Sequence, residues 1–155
     1  MAALGTVIQS PRLAASRMGN DVSVLLARLH DRGTGLNKRA LADFGLRERS
    51  FSVLALACSG LEPTPREVAE FLNLEPGQVA TLVDDLEWRG LVERAQGQQD
   101  RRAKIIVSTA EGRKMHVKAR AAMDAAEQSQ LAGLSEDESQ ELRRLLRKVL
   151  WGAAE

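Results

Sequence analysis

The chain has one cysteine, two histidines and no tyrosine among its 155 residues. The lone Cys58 excludes an internal disulfide framework and fits a reducing cytoplasm. Cys58 sits in the apolar stretch Leu54-Ala55-Leu56-Ala57-Cys58, where a buried structural thiol is the expectation. With only His30 and His116, a His-rich metal site is not expected. Aromatics make up 3% of the residues, which argues against stacking on single-stranded nucleic acid. The longest uncharged apolar run, about Ser50 to Leu61, is shorter than the roughly 20 residues a membrane helix needs. The first residues lack a basic leader followed by a long apolar core, so no signal peptide is expected. A Gly-rich phosphate loop, a metal-spaced His/Cys/Glu set and a serine nucleophile elbow are also missing, and with them the usual signatures of an enzyme or a bound cofactor.

An excess of one charge is lacking as well. The net charge of +1 argues against a non-specific coat on nucleic acid. That total hides a strong segregation. Residues 1–50 carry net +4, residues 51–87 net −6, residues 88–120 net +6 and residues 121–155 net −3. The third block holds Arg89, Arg94, Arg101, Arg102, Lys104, Arg113, Lys114, Lys118 and Arg120. Such a cluster attracts phosphates even on a nearly neutral protein.

Most of the chain has helical periodicity. Val22, Leu25, Leu26 and Leu29 recur at i, i+3, i+4 and i+7, and Gly33-Thr34-Gly35 is expected to break that helix. A short segment over 38–44 follows, then a helix over 47–59. Thr64-Pro65-Arg66-Glu67 combines an N-cap, a first-turn proline and an acidic residue three positions on, which starts a helix ending near Leu72. Glu75-Pro76 starts the next, which runs to Arg89 before Gly90. Its apolar stripe is Val79, Leu82, Val83 and Leu86. Gly77, Gln78, Thr81 and Asp85 fall largely on the opposite side.

The period then changes. Residues 91–95 and 103–107 read as strands of a hairpin, with Asp100, Arg101 and Arg102 at its loop end. Thr109 is expected to cap a helix over 110–131, and Ser135 with Glu138 opens a last one. Helix, short turn, helix, then a hairpin with a basic tip is the winged helix-turn-helix order. A helix such as 76–89 fits the major groove of DNA, and an arginine on the hairpin suits a narrow minor groove.

The run Leu82-Val83-Asp84-Asp85-Leu86-Glu87-Trp88-Arg89-Gly90-Leu91-Val92-Glu93-Arg94, followed by Asp100-Arg101-Arg102-Ala103, resembles the MarR (multiple antibiotic resistance regulator) family. Ser108-Thr109-Ala110-Glu111-Gly112 is similar to the start of the family's helix after the wing. The resemblance implies one mainly α domain over 1–155 with a small β-hairpin wing (α+β). Residues 36–108 would be the DNA-binding part, and helices over 10–32 and 110–152 the dimerisation part. It implies DNA reading by the helix with Gly77, Gln78, Thr81 and Asp85. It also implies a wing held by Asp100 and minor-groove insertion by Arg102, with Arg101 as the alternative. Arg66, Arg94 and Lys104 join the DNA-binding set, Arg66 and Lys104 as phosphate neighbours. The sequence departs from the family's usual Ser/Thr at the positions of Gly77 and Gln78, and from its usual Arg at those of Thr81 and Asp85.

The expected function is a homodimeric, sequence-specific regulator, a repressor at a near-palindromic site on double-stranded DNA. A small organic effector would release it, from a site between the dimer helices and the winged part whose residues the sequence does not identify. The alternative is a winged-helix protein-interaction module with weak or lost DNA reading. Trp88 is expected to pack on the wing or a neighbouring helix, with a lid over a small-molecule site as the sharper reading. His116 is expected at the surface or an interface, and His30 at a helix end facing carbonyls or solvent.

Overall fold

The computed structural model describes residues 11–98 and 101–152. The elements in order are α1 (Pro11–Ala14), a 3-10 turn (Met18–Asn20), α2 (Val22–Ala42), α3 (Glu48–Ala57), α4 (Pro65–Leu72) and α5 (Pro76–Trp88). Strands β1 (Val92–Gln96) and β2 (Lys104–Ser108) follow, then α6 (Ala110–Gln130) and α7 (Glu136–Trp151). Residues 34–124 form one compact unit, and the segments up to Gly33 and from Ala125 belong to another.

Helix α2 overturns the expected break at Gly33-Thr34-Gly35, through which it runs without interruption. A glycine weakens a helix interior by about 1 kcal/mol relative to alanine. That penalty does not end a helix with good formers on both sides. Gly33 is buried for a packing reason. A Cβ there would lie 2.8 Å from Gln130 Nε2, and this same amide donates to the Leu29 carbonyl at 2.8 Å. At the start of the helix, Asp21 Oδ1 accepts from the Ser23 N–H at 2.9 Å.

In the 34–124 unit, the predicted stripe of α5 buries Val79, Val83 and Leu86 against α3 and α4, together with Leu54 and Val68. Each such side chain contributes about 1.5–3 kcal/mol on burial. Leu82 is only half-buried, because it lines a cleft. Cys58 is likewise half-buried, packed against this core rather than enclosed in it.

The strands pair antiparallel, with Val92 opposite Ser108 and Gln96 opposite Lys104. Both begin one residue later than the sequence pattern predicts. The helix terminus before them accounts for the shift at β1. Gly90, at φ +69°, donates to the Glu87 carbonyl, and Leu91 N–H donates to the Leu86 carbonyl. These are the two bonds of a Schellman cap, so Leu91 belongs to the end of α5 and not to the strand. Pro63, just before α4, accepts from Ile106 N–H at 2.9 Å and so extends the sheet edge.

Thr109 caps α6 as expected, its Oγ1 accepting from Gly112 N–H at 2.9 Å. Thr109 Oγ1 also donates to the Gly90 carbonyl at 2.6 Å, which ties the start of α6 to the end of α5. Gly112 is forced by this closeness, since a Cβ there would meet the Leu91 oxygen at 1.8 Å. The capping boxes of Thr64 and Ser135 are both formed.

In the other unit, Arg143 reaches Glu127 at 3.0 Å. Val22, Leu25 and Leu26 of α2 and Leu145, Val149 and Leu150 of α7 are exposed. Among the described residues no helix is long and apolar enough to cross a membrane.

Candidate nucleic-acid interface

The exposed side of α5 carries all four residues expected to read DNA. Gly77, Gln78, Thr81 and Asp85 are exposed. The Gln78 side-chain oxygen accepts from the Glu75 N–H at 3.1 Å, capping the helix. Its amide NH2 is left to donate outward. Thr81 Oγ1 donates back to the Gly77 carbonyl at 3.0 Å. A Cβ on Gly77 would meet nothing within 4 Å. The fold therefore does not require glycine there, and its absent side chain lets another surface approach the backbone.

Three contacts fix α5 in place. Asn73, in the left-handed region at φ 51°, makes the tight turn from α4. At the other end, Arg89 donates from Nη1 to the Gly45 carbonyl and from Nη2 to the Phe44 carbonyl, both at 2.9 Å. Sequence reasoning placed Arg89 in the basic block and missed this role. A charged residue at a helix end gives no sign of which distant carbonyls it will meet.

The third contact is Arg94. Its Nη2 stands 2.5 Å from Asp84 Oδ1, and its Nη1 donates to Glu87 Oε2. Its backbone N–H donates to Glu87 Oε1 at 3.1 Å. Both carboxylates lie on α5 and Arg94 lies on β1, so this group fastens the wing to the helix. The Asp84 hydrogen bond leads in raising the Arg94 pKa above its ordinary value, against a smaller effect of burial. Expected in the DNA-binding set, Arg94 is turned onto α5, with its side chain one-third exposed (33%).

On the wing, Arg101 and Arg102 are exposed in the loop, and Lys104 is exposed at the start of β2. Asp100, expected to hold the wing, lies outside the described residues. At the base of the loop, Gln98 N–H donates to Glu62 Oε2 at 3.2 Å and Gly97 N–H to the Ala103 carbonyl at 2.9 Å. Glu62 has φ +52°, a strained conformation for a non-glycine residue. On α4, Arg66 pairs with Glu70 at 2.9 Å, and that carboxylate raises its pKa. Both side chains are well exposed, so solvent screens the pair and a phosphate can displace it.

Trp88 departs from expectation. It packs on neither wing nor helix and is 88% exposed. Helical geometry accounts for it: Trp88 is two positions past buried Leu86, and so about 200° around the helix from it. His116 is half-buried, stacked on Phe51 with ring centroids 5.8 Å apart, and the Arg120 guanidinium lies 5.3 Å from the same ring. Burial first, then Arg120, pushes the His116 pKa down. His30 is exposed.

A cleft of about 720 Å³ opens within the 34–124 unit. Lys38, Arg47 and Arg49 give it a basic lining, Leu46 and Leu82 an apolar wall, and Gln78 and Thr81 extend it onto α5. Among the described residues no group of three or more His, Cys, Asp or Glu is placed to hold a metal.

The arrangement matches known proteins. The sequence model of the MarR family matches residues 44–103. The chain is 31% identical over 110 residues to an HTH-type transcriptional regulator, YwoH, of Bacillus subtilis, over 71% of this chain and 80% of that one. It is 37% identical to CouR from Rhodococcus jostii RHA1, solved bound to p-coumaroyl-CoA, with a TM-score of 0.82 over 91% of this chain and 99% of that chain. The Mycobacterium tuberculosis MarR-family protein Rv2887, solved in complex with DNA, is 25% identical, with a TM-score of 0.70 over 84% of this chain and 98% of that chain. These relatives are transcriptional regulators and not enzymes. The seven α-helices and two-stranded wing among the described residues are those of a winged helix-turn-helix protein, and the chain belongs to the MarR family of DNA-binding transcriptional regulators.

Proposed function

We propose that the protein is a homodimeric, sequence-specific repressor that binds a near-palindromic operator and leaves it when a small organic effector binds. One observation carries the DNA reading. The exposed face of α5 bears Gly77, Gln78, Thr81 and Asp85, and the wing beside it bears Arg101, Arg102 and Lys104. Gln78 can donate to a base edge or a phosphate, and Asp85 can accept from a cytosine amino group. Arg102 enters the minor groove, Arg66 and Lys104 meet phosphates, and Arg94 holds the wing at its angle. The DNA-binding part is 36–108.

The exposed apolar residues of α2 and α7 support a dimer built from 10–32 and 110–152. Two-fold symmetry then sets the half-sites about one helical turn apart. The thioester bound by CouR suggests an effector drawn from aromatic acids and their coenzyme A thioesters. It acts by favouring the state that does not bind DNA.

Selection from random duplex DNA tests the reading, with wild type and Arg102→Ala in parallel at near-physiological salt. A palindrome enriched by wild type and lost or sharply reduced with the variant is the expected result. A folded dimer that enriches no sequence overturns it and turns attention to protein partners.

A further inference from the structure

Trp88 is the most exposed large apolar side chain among the described residues, and neither the fold nor the DNA-reading set accounts for it. A ring left in water forgoes the gain of burial, and an aromatic side chain that also carries an N–H suits an interface that is apolar on one side and polar on the other. Helical phase sets its direction. At about 100° per residue, Trp88 lies about 20° around α5 from Gly77 and about 20° from Thr81. The buried Val79, Val83 and Leu86 lie on the opposite side. Gly77, Thr81, Asp84 and Trp88 thus form one outward row, with Gln78 and Asp85 along its flank, and all six are exposed. Most of the row reaches out little. Gly77 has no side chain, Thr81 Oγ1 bonds back to the Gly77 carbonyl, and Asp84 is held by Arg94. Trp88 is the one large group on it. The rise of the helix puts Trp88 about 16.5 Å along the axis from Gly77. With its N-terminal end at the base edges of a groove about 12 Å wide, a straight helix has reached the sugar–phosphate wall over that distance.

We infer that Trp88 is a DNA-backbone contact. Its ring packs on a deoxyribose at the edge of the major groove, and its indole N–H donates to a phosphate oxygen. The inference rests on the DNA reading proposed above and extends the contact surface from the first turns of α5 to its last. An indole is neutral, so this contact adds affinity without releasing counterions and leaves the salt dependence to the arginines and lysines.

The duplex that wild type enriches from random DNA serves as the probe, with the full chain carrying 5-fluorotryptophan. Trp88 and Trp151 are its two tryptophans, so the fluorine spectrum holds two resonances, and the one missing from Trp88→Phe belongs to Trp88. In the free protein that resonance is expected to differ between H2O and D2O, as a solvent-facing ring requires. Saturating duplex is expected to move it and to remove most of the solvent difference. On labelled duplex, Trp88→Ala is expected to bind about tenfold more weakly, with Tm and the slope of log K against log salt unchanged. Trp88→Phe keeps a ring and loses the N–H, so its loss is smaller. Trp88→Lys places a charge at the phosphates and steepens the salt slope by about one. A Trp88 resonance that keeps its solvent difference in the saturated complex overturns the inference and turns the search for its cover to a protein partner. So does Trp88→Ala binding as tightly as wild type. Either result leaves the DNA reading standing. A folded protein that enriches no duplex sinks that reading, and this inference with it.

Discussion

Arg94 Nη2 of the first wing strand stands 2.5 Å from Asp84 Oδ1 of the DNA-facing helix, and the same guanidinium takes Glu87 as a second partner. The angle between wing and helix is thus set by an ion cluster near the surface. Arg94→Ala is expected to cost about 1 kcal/mol or less of stability, since the cluster is partly screened. DNA affinity should fall about tenfold, because the loosened wing no longer presents Arg102. Asp84→Asn with Glu87→Gln separates the two roles open to Arg94. As a positioning residue, it makes this double variant lose DNA affinity too, with the salt dependence unchanged. As a phosphate ligand, it would make Arg94→Ala alone lower the salt slope by about one.

His116 gives stability a pH dependence. Its pKa is lowered in the fold by burial against Phe51 and by Arg120. Above the ordinary value of 6.5 it is neutral folded and unfolded alike, and its contribution is fully present. Below that, the unfolded chain takes up the proton first, so stability declines as pH falls toward the lowered folded pKa. Urea unfolding at pH 7.5 and pH 5.5 measures the decline. His116→Phe keeps a ring on Phe51 and is expected to shrink the difference between the two pH values. An unchanged difference would assign the decline to other groups.

Two glycines give opposite expectations. At Gly112 an added Cβ collides with backbone, the Leu91 oxygen at 1.8 Å, which only a shift of the α6 start can relieve. Gly112→Ala is expected to destabilise by about 2–3 kcal/mol, the upper range for overpacking. At Gly77 the added atom meets open space. Gly77→Ala is expected to leave the fold as stable or raise it by up to about 1 kcal/mol, through helix propensity. It should still weaken DNA binding, if the DNA approaches the backbone there. Thermal unfolding and DNA titration on the same samples test both halves of the contrast.

These residues show what sequence patterning can and cannot reveal. The stripe Val79, Val83 and Leu86 and the capping residues Thr64, Thr109 and Ser135 were legible because their signals are local: a 3.6-residue period, or a cap and its partner three positions on. The same periodicity held the clue to Trp88, but residue type suggested packing and helical phase decided exposure. Gly33 misled because a glycine that breaks a helix and one that admits a neighbouring side chain look alike without Gln130, 97 positions away in the chain. Arg89 on Gly45 was out of reach for the same reason. It depends on a carbonyl 44 positions away that only the folded chain brings to the place.

The exposed residues of α7 allow a test of the dimer that does not depend on DNA. Val149 is 84% exposed, and Leu150 and Trp151 beside it are exposed as well. On a monomer, Val149→Glu would be an ordinary surface change, within about 0.5 kcal/mol of neutral. Across a dimer interface it buries a charge with no partner, a cost large enough to break the association. Sedimentation of wild type and variant is expected to show a dimer in the first and a 16.9 kDa monomer in the second. The monomer should also lose operator binding, because one recognition helix can reach only one half-site. A variant that stays dimeric would remove Val149 from the interface and move the search to the exposed Val22, Leu25 and Leu26 of α2.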